Sequence, residues 1–241
     1  MATIAAYHRP VALDGALDLL ARPRAVVLAG GTRLVPAASE PVEVVDLQAL
    51  GLDTVTVAAA DALVLGATAT LQQLVETPIV PADLREAARR EVPSTLRNAA
   101  TVGGIVAVGD HDSELLATLL VHEAVVTIAG SAGAVEVPLA TVLADRRLLA
   151  GRIATAVTVD PRGTTVAART ARTAADRPIV AAVARRAPGG EVRLALSGVA
   201  ATPVLVTDLD RLDPPADFRG SAEYRRSLAR TLAARVMEAL A

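Results

Sequence analysis

Thr95-Leu-Arg-Asn-Ala-Ala-Thr-Val-Gly-Gly104 is the stretch that decides the fold, together with the earlier Leu28-Ala-Gly-Gly-Thr-Arg-Leu-Val-Pro36. Each stretch carries a pair of glycines beside threonine and apolar residues. Because glycine has no Cβ and reaches positive φ, such turns can leave backbone N–H groups free to contact an anion. Two such turns predict a ligand with a phosphate-bearing middle, such as a dinucleotide. Neither has the GxGxxG or Walker pattern, so each alone could equally be an ordinary tight turn.

Composition limits the kind of protein that this chain can be. At 241 residues, with 52% hydrophobic residues and a net charge of −2, the chain is long and apolar enough for one or two folded domains. This charge balance argues against a strongly basic face, so no nucleic-acid partner is expected. The chain has no cysteine, which excludes a disulfide, a thiolate metal site or an iron–sulfur cluster held by its own side chains.

The chain shows no targeting or membrane-spanning pattern. No apolar run approaches the roughly 20 residues that cross a bilayer. Residues 1–10 lack a charged region ahead of an apolar stretch, so no signal peptide is expected. We therefore expect a cytoplasmic protein without a membrane span. Aromatic residues make up only 1% of the chain, so a flat ligand would meet aliphatic walls or a partner chain.

Apolar periodicity and capping residues predict the helices. Leu13, Leu17 and Leu20 recur at helical spacing near the start of the chain. Capping side chains mark where further helices begin, because they accept hydrogen bonds from the free N–H groups of the first turn. The predicted helix starts are Thr70 with Gln73 as a capping box, Pro81 in a first turn, Ser113 or Asp112, and Ser221 before a long final helix.

Short apolar runs between turn residues predict the strands, at 25–29, 42–47, 55–58, 62–66, 124–128, 135–137, 179–183 and 192–196. Hairpin turns are predicted at Ala60-Asp61 and Pro188-Gly-Gly190. Because strands and helices mix without regular alternation, the predicted class is α+β. A change of composition at Asp160-Pro-Arg-Gly163 predicts two domains, 1–160, with a split into subdomains near 50–54, and 161–241.

The two glycine stretches, in this order and context, resemble those of the FAD-binding medium subunits of the molybdenum hydroxylases, the xanthine dehydrogenase and aerobic carbon monoxide dehydrogenase family. The family's Ala-Gly-Gly-Thr/His followed by Asp or Ser corresponds to residues 29–33 here. Its Ile-Arg-Asn-x-Ala-Thr-Ile-Gly-Gly-Asn corresponds to residues 96–105. Tyr7-His-Arg-Pro10, Gly66-Ala-Thr68 and Gly220-Ser-Ala-Glu-Tyr-Arg-Arg226 are similar to further family segments, so the resemblance covers nearly the whole chain.

The resemblance implies a fold, a cofactor and partners. The fold is a two-subdomain FAD-binding region of the PCMH type, followed by a small C-terminal α/β domain with a three-stranded antiparallel sheet. The implied activity is electron transfer through FAD within an oxidoreductase complex. An iron–sulfur subunit and a molybdopterin-binding large subunit are the implied partners. The absence of cysteine fits this arrangement, because the clusters lie on another chain.

The resemblance also implies which residues contact FAD. Both glycine pairs would hold the pyrophosphate and nearby hydroxyls, with no catalytic or metal-binding residue on this chain. His111 and Asp112 could be read as metal ligands, although a lone histidine among loop carboxylates is more often solvated. The implied cofactor contacts are Leu28, Ala29, Gly30, Gly31, Thr32, Arg33, Leu34, Thr101, Val102, Gly103, Gly104, Asp110, Glu114 and Arg169.

Several positions depart from the family pattern. Arg33 stands where a small or acidic residue is common, and Ile105 replaces an asparagine. Glu114 replaces an aspartate that contacts the cofactor, and Arg169 a lysine near the flavin, each keeping its charge. The segment between Val137 and Thr165 is shorter than in the family, and its residues 138–150 lack the family's aromatic–glycine–threonine stretch.

Two alternatives to the electron-transfer subunit remain open at the level of sequence. One is a non-catalytic member of the same fold that acts as a binding or assembly module, with weak or lost FAD. The other is a stand-alone flavoprotein such as an enolpyruvyl reductase, which the stretch Gly220–Arg226 disfavours.

Overall fold

Three β-sheets organise the computed structural model, which describes residues 3–33, 41–173 and 175–241. The first sheet is parallel, with strand order β1-β3-β2. Its strands are β1 (Ile4–His8), β2 (Ala25–Leu28) and β3 (Val42–Asp46), and helix α1 (Leu13–Leu20) connects the first two. Because all three strands run the same way, their carboxyl ends share one edge, and the loop with the first glycine pair leaves from that edge.

The second sheet is antiparallel, with strand order β4-β5-β8-β6-β7. Its strands are β4 (Val55–Val57), β5 (Leu63–Gly66), β6 (Val125–Gly130), β7 (Gly133–Pro138) and β8 (Ile153–Val159). The predicted hairpin around Ala60-Asp61 is confirmed, because Val55 pairs with Leu65 across it. Strand β8, which the sequence patterns did not predict, pairs with both β5 and β6.

Short helices cover the second sheet. They are α2 (Leu71–Glu76), α3 (Ala82–Glu91), α4 (Ser94–Arg97), α5 (Val102–Val108), α6 (Glu114–Val121) and α7 (Leu139–Ala144), with a 3-10 turn at Arg146–Leu149. The capping box of α2 is confirmed: the Gln73 N–H donates to Thr70 Oγ1 at 3.1 Å and the Thr70 N–H to Gln73 Oε1 at 2.7 Å. Ser113, rather than Asp112, caps α6, since its Oγ accepts from the Leu116 N–H at 3.0 Å.

The third sheet is antiparallel and carries the final helix. Its strands are β9 (Thr164–Thr170), β10 (Val180–Arg186), β11 (Val192–Ser197) and β12 (Val204–Leu205), in the order β12-β11-β10-β9. Helix α8 (Ala222–Leu240) begins at Ser221, whose Oγ accepts from the Tyr224 N–H at 3.1 Å as predicted. The three-stranded antiparallel sheet is confirmed in β9–β11, and the two-residue β12 extends its edge.

The α+β class is confirmed, and the buried hydrophobic side chains of the described residues form three clusters. One cluster of buried side chains runs from Leu65 in β5 through Leu116 in α6 to Val183 and Ala195 in the third sheet. The third sheet therefore packs on α6 instead of standing apart. None of the helices in residues 3–33, 41–173 and 175–241 has the length and apolar character needed to cross a membrane.

Candidate functional site

The first glycine pair leaves a row of free backbone donors. Strand β2 ends at Leu28, and the chain turns through Gly31, whose φ of 69° favours glycine. Within the described residues, no protein acceptor takes the N–H groups of Gly30, Gly31 or Thr32. Consecutive free amides beside a hydroxyl can bind a phosphate, so this loop fits the anion-binding role that the sequence predicted.

The two glycine motifs meet in space. Gly30 packs against the backbone just before the second motif, and an ideal Cβ on residue 30 would lie 1.5 Å from the Ala99 carbonyl oxygen. No side chain fits that gap. Two positions 69 residues apart in the chain are thus in contact at the cavity, and this contact requires glycine at position 30.

The second glycine pair is built differently from the prediction. It is not an open turn but the first turn of α5, which Thr101 caps by accepting from the Gly104 N–H at 3.1 Å. The Val102 N–H donates to the Ala69 carbonyl at 3.0 Å, and the Gly103 N–H to the Ala67 carbonyl at 2.8 Å. The prediction of a second set of free amides is therefore wrong. These donors instead fasten α5 to the loop after β5.

A cavity of about 380 Å³ lies between the first sheet, α5 and the start of β8. This volume is within the range of small-molecule sites. Both motifs line the cavity, together with aliphatic side chains such as Val27, Val108 and Ile153. Of the residues predicted to contact a cofactor, those lining it are Leu28, Ala29, Gly30, Gly31, Thr32, Arg33, Thr101, Gly103, Gly104 and Asp110.

The other predicted residues that the structure describes do not line the cavity. Val102 is 1% exposed and packs in the hydrophobic core. Glu114 is buried at the start of α6 and pairs with Arg90 at 3.4 Å and Arg169 at 3.5 Å. Burial raises the pKa of Glu114, while the two arginines oppose this. Leu34 falls outside the described residues. The cofactor roles of Glu114 and Arg169 stay predictions.

A cluster of charges closes one end of the cavity. Arg177 lies between Asp110 at 2.7 Å, Asp112 at 3.1 Å and Glu91, and Arg33 pairs with Asp110 from the other side. Burial raises the pKa of Glu91, although the charge of Arg177 and a hydrogen bond from Ser113 oppose the shift. Burial disfavours the charge on Arg177, but its three carboxylates outweigh that effect and raise its pKa. The cluster thus places paired, charged side chains on one part of the cavity lining.

Two members of this cluster, Glu91 and Arg177, were not predicted from the sequence. A signal for Glu91 was present: it lies four residues after Ala87 and seven after Leu84, which places a carboxylate on the apolar face of α3. No local pattern marks Arg177, whose partners come from distant parts of the chain. Asp112 pairs with Arg177 at 3.1 Å and with Arg219 at 2.8 Å, and residues 3–33, 41–173 and 175–241 hold no group of three or more potential metal ligands.

The stretch Gly220–Arg226 is structural. Arg225 is fully buried and donates to the Ile179 carbonyl at 2.5 Å, to the Gly198 carbonyl at 3.2 Å and to Asp217 at 2.7 Å. One guanidinium therefore ties α8 to two strand ends and to the preceding loop. This explains why the start of the final helix has a distinctive sequence without any contact to the cavity.

Besides Arg33, two departures from the family pattern contribute to the cavity lining: Ile105 and the shortened segment after Val137. Ile105 lines it with an aliphatic side chain, so the polar group of an asparagine is absent from this wall. The shortened segment 138–150 folds as α7 and a 3-10 turn, and it places Leu149 on the lining. The result is an apolar wall opposite the free amides, as the scarcity of aromatic residues led us to expect.

The donor set and the shape fit an extended ligand with a phosphate-bearing middle and a flat apolar part. Free amides and the Thr32 hydroxyl supply the polar side, the aliphatic wall supplies the apolar side, and Gly30 leaves room for close backbone approach. The site thus fits a dinucleotide-binding protein.

Comparison with known proteins identifies the dinucleotide. Residues 2–161 match the model of the FAD-binding domain in molybdopterin dehydrogenase. The chain belongs to this family, and its cofactor is FAD. The resemblance stated from the motifs is thereby confirmed, and the protein is a flavoprotein of the molybdenum hydroxylase family.

Relatives match over nearly the full chain. The uncharacterized protein YgfM of Escherichia coli K12 is 29% identical over 249 residues, covering 95% of this chain and 93% of YgfM. A chain of quinoline 2-oxidoreductase from Pseudomonas putida 86 is 25% identical with a TM-score of 0.86, covering 98% of this chain and 96% of that one. A chain of carbon monoxide dehydrogenase from Oligotropha carboxidovorans is 25% identical with a TM-score of 0.86, and the match covers 100% of each chain.

Proposed function

We propose that this chain is the FAD-carrying electron-transfer subunit of a heteromeric molybdenum hydroxylase. Electrons would arrive from iron–sulfur clusters on a partner subunit, after a molybdopterin-binding large subunit has oxidised the substrate, and leave from FAD to an acceptor. The observation that carries the proposal is the single cavity lined by both glycine motifs. The absence of cysteine supports it, because the clusters need another chain.

The residues of this chain have binding and positioning roles in the proposal. FAD supplies the redox chemistry by accepting and releasing electrons, and the protein holds and orients it. The amides of Gly30, Gly31 and Thr32 would contact the pyrophosphate, with the Thr32 and Thr101 hydroxyls beside them. Ile105 and the other aliphatic lining residues would exclude water from the flat ring. Residues 1–160 would form the FAD-binding region, and 161–241 the C-terminal domain.

The experiment compares one complex with and without FAD. The subunit is purified, stripped of FAD and combined with its iron–sulfur and molybdopterin partners, either as the apo chain or after reconstitution. We expect both forms to assemble, and only the reconstituted one to pass electrons to an acceptor. A complex that transfers electrons equally well without FAD would favour the assembly-module alternative, which nothing in the cavity favours now. A chain that forms no complex contradicts the proposal.

A further inference from the structure

Arg33 lies next to the loop with the free amides, but its guanidinium forms an ion pair with Asp110. It directly follows Thr32, lines the cavity, and pairs with Asp110, which also lines the cavity. The Arg33 side chain is 59% exposed and that of Asp110 28% exposed. Among the described residues, Asp110 is the one carboxylate that Arg33 meets. The Arg33 guanidinium therefore lies next to the predicted anion site at the Gly30–Thr32 amides, and it is paired with the Asp110 carboxylate.

Asp110 does not depend on Arg33. It also accepts from Arg177 at 2.7 Å, and its charge acts to raise the pKa of Arg146 in the 3-10 turn after α7, although burial lowers that pKa overall. Arg177 is fixed in turn by Glu91 and Asp112. If Arg33 turned away, Asp110 would keep a charged partner and would not become an isolated anion. The pair can therefore open without leaving an uncompensated carboxylate.

We propose that Arg33 exchanges partners on cofactor binding, leaving Asp110 for a phosphate of the bound dinucleotide. Asp110 is then a competitor for Arg33, not a ligand of the cofactor. An exposed ion pair contributes little to stability, whereas a guanidinium binds a phosphate through two charge-assisted hydrogen bonds, so the exchange is favourable. This inference rests on the assignment of FAD to the cavity.

The proposal predicts changes of opposite sign at the two ends of one ion pair. The dissociation constant for FAD is measured on the stripped full chain by fluorescence quenching. Arg33→Gln is expected to bind FAD about tenfold more weakly, because the charge-assisted contact is lost. Asp110→Asn is expected to bind it about threefold more tightly, because Arg33 is released in advance. Its amide oxygen still accepts from Arg177.

The double variant makes the test specific. Because Asp110 competes only through Arg33, the combined R33Q/D110N chain is expected to match Arg33→Gln. Asp210→Asn is the matched control, since it removes the same charge from an exposed pair with Arg230 away from the cavity lining. ADP, which keeps the pyrophosphate, is expected to reproduce the pattern of FAD. Riboflavin, which has no phosphate, is expected to show no dependence on Arg33.

The outcomes separate this inference from the cofactor assignment. A wild-type chain that takes up no FAD overturns both. If the wild type binds FAD but Asp110→Asn binds it equally or more weakly, the partner exchange alone is overturned, because Asp110 then acts as a ligand or a bystander. An unchanged affinity in Arg33→Gln overturns it as well. Asp110→Ser is measured alongside, and thermal unfolding of each apo variant verifies that the chain is folded.

Discussion

Gly30 and Ala99, 69 residues apart in the chain, are in direct backbone contact. A Cβ on residue 30 would lie 1.5 Å from the Ala99 carbonyl oxygen and 2.4 Å from its carbon. The contact joins the loop after the parallel sheet to the segment that enters α5, and the cavity lies beside it. The second motif therefore helps to shape the first, even though its own amides are occupied.

Gly30→Ala is expected to separate these two segments. The methyl group meets backbone and not a flexible side chain, so the chain must shift, at a cost of about 1–3 kcal/mol in the free energy of unfolding. FAD content after purification is expected to fall with it. Gly189→Ala is the control, because a Cβ there meets nothing within 4 Å. Urea unfolding and flavin absorbance measure both effects, and a Gly30→Ala chain with wild-type stability and flavin would contradict the close contact.

Thr101 is expected to have two separable roles. Thr101→Val removes the side-chain oxygen that accepts from the Gly104 N–H, which costs about 1 kcal/mol of stability for a helix cap. It also removes a hydroxyl from the cavity, so FAD affinity should fall. Ser221→Ala is the matched control, because it deletes the cap of α8 outside the cavity. We expect similar losses of stability in thermal melts, and weaker FAD binding in Thr101→Val alone. Equal FAD affinities in the two variants would show that Thr101 acts only as a cap.

Local signals in the sequence predicted much of the fold. The capping box at Thr70, the serine caps of α6 and α8, and the hairpin at Pro188-Gly-Gly190 each depend on residues within a few positions of one another. Such patterns can be read from one chain. Strands β1, β8 and β9 were not predicted, because they become strands through partners far away in the sequence.

The site was predictable in its position but not in its electrostatics. The glycine motifs pointed to the cavity, since glycine is needed where backbones approach closely. The N–H groups of Val102 and Gly103 donate to the carbonyls of Ala69 and Ala67. These hydrogen bonds depend on how α5 packs against the loop after β5. No residue within the motif signals that docking. Likewise, Arg177 gains its role only when the segment before β10, helix α3 and the loop after α5 come together.

Asp217 is expected to couple stability to pH in acid. Burial raises the pKa of this carboxyl, but hydrogen bonds and charge from Arg225 and Arg219 outweigh it and lower the pKa from 3.8 to about 2. A carboxyl with a depressed pKa stabilises the fold above its unfolded pKa, and this stabilisation is lost as the pH falls from 3.8 toward about 2. Asp217→Asn is therefore expected to flatten the pH dependence of the unfolding free energy in that window.

The same variant should be less stable at neutral pH by about 1–3 kcal/mol, since Arg225 loses a charged acceptor. Asp217→Glu keeps the carboxylate and is expected to keep the acid dependence. Urea unfolding at several pH values measures both quantities. If Asp217→Asn and the wild type lose stability in parallel from pH 4 to pH 2, the carboxyl is not the group responsible.

Arg177→Gln is expected to destabilise the protein in a pH-dependent way. The Glu91 side chain is 1% exposed and has Arg177 as its cationic partner, so the variant leaves a buried carboxylate without a compensating charge. Burial already raises the pKa of Glu91 above 4.5, and loss of Arg177 raises it further. A carboxyl whose pKa is raised in the folded state favours the fold when protonated, so that contribution is present below pH 4.5 and is lost as the pH rises through the folded-state pKa.

The cost of Arg177→Gln in the free energy of unfolding should therefore be about 3–5 kcal/mol at pH 7 and distinctly smaller near pH 5. The double variant E91Q/R177Q should recover most of the loss at pH 7, because residue 91 is then uncharged, while Asp112 keeps Arg219 and Asp110 keeps Arg33 as a cationic partner. Urea unfolding at the two pH values measures the difference, and an equal cost at both would mean that Glu91 is not the group left uncompensated.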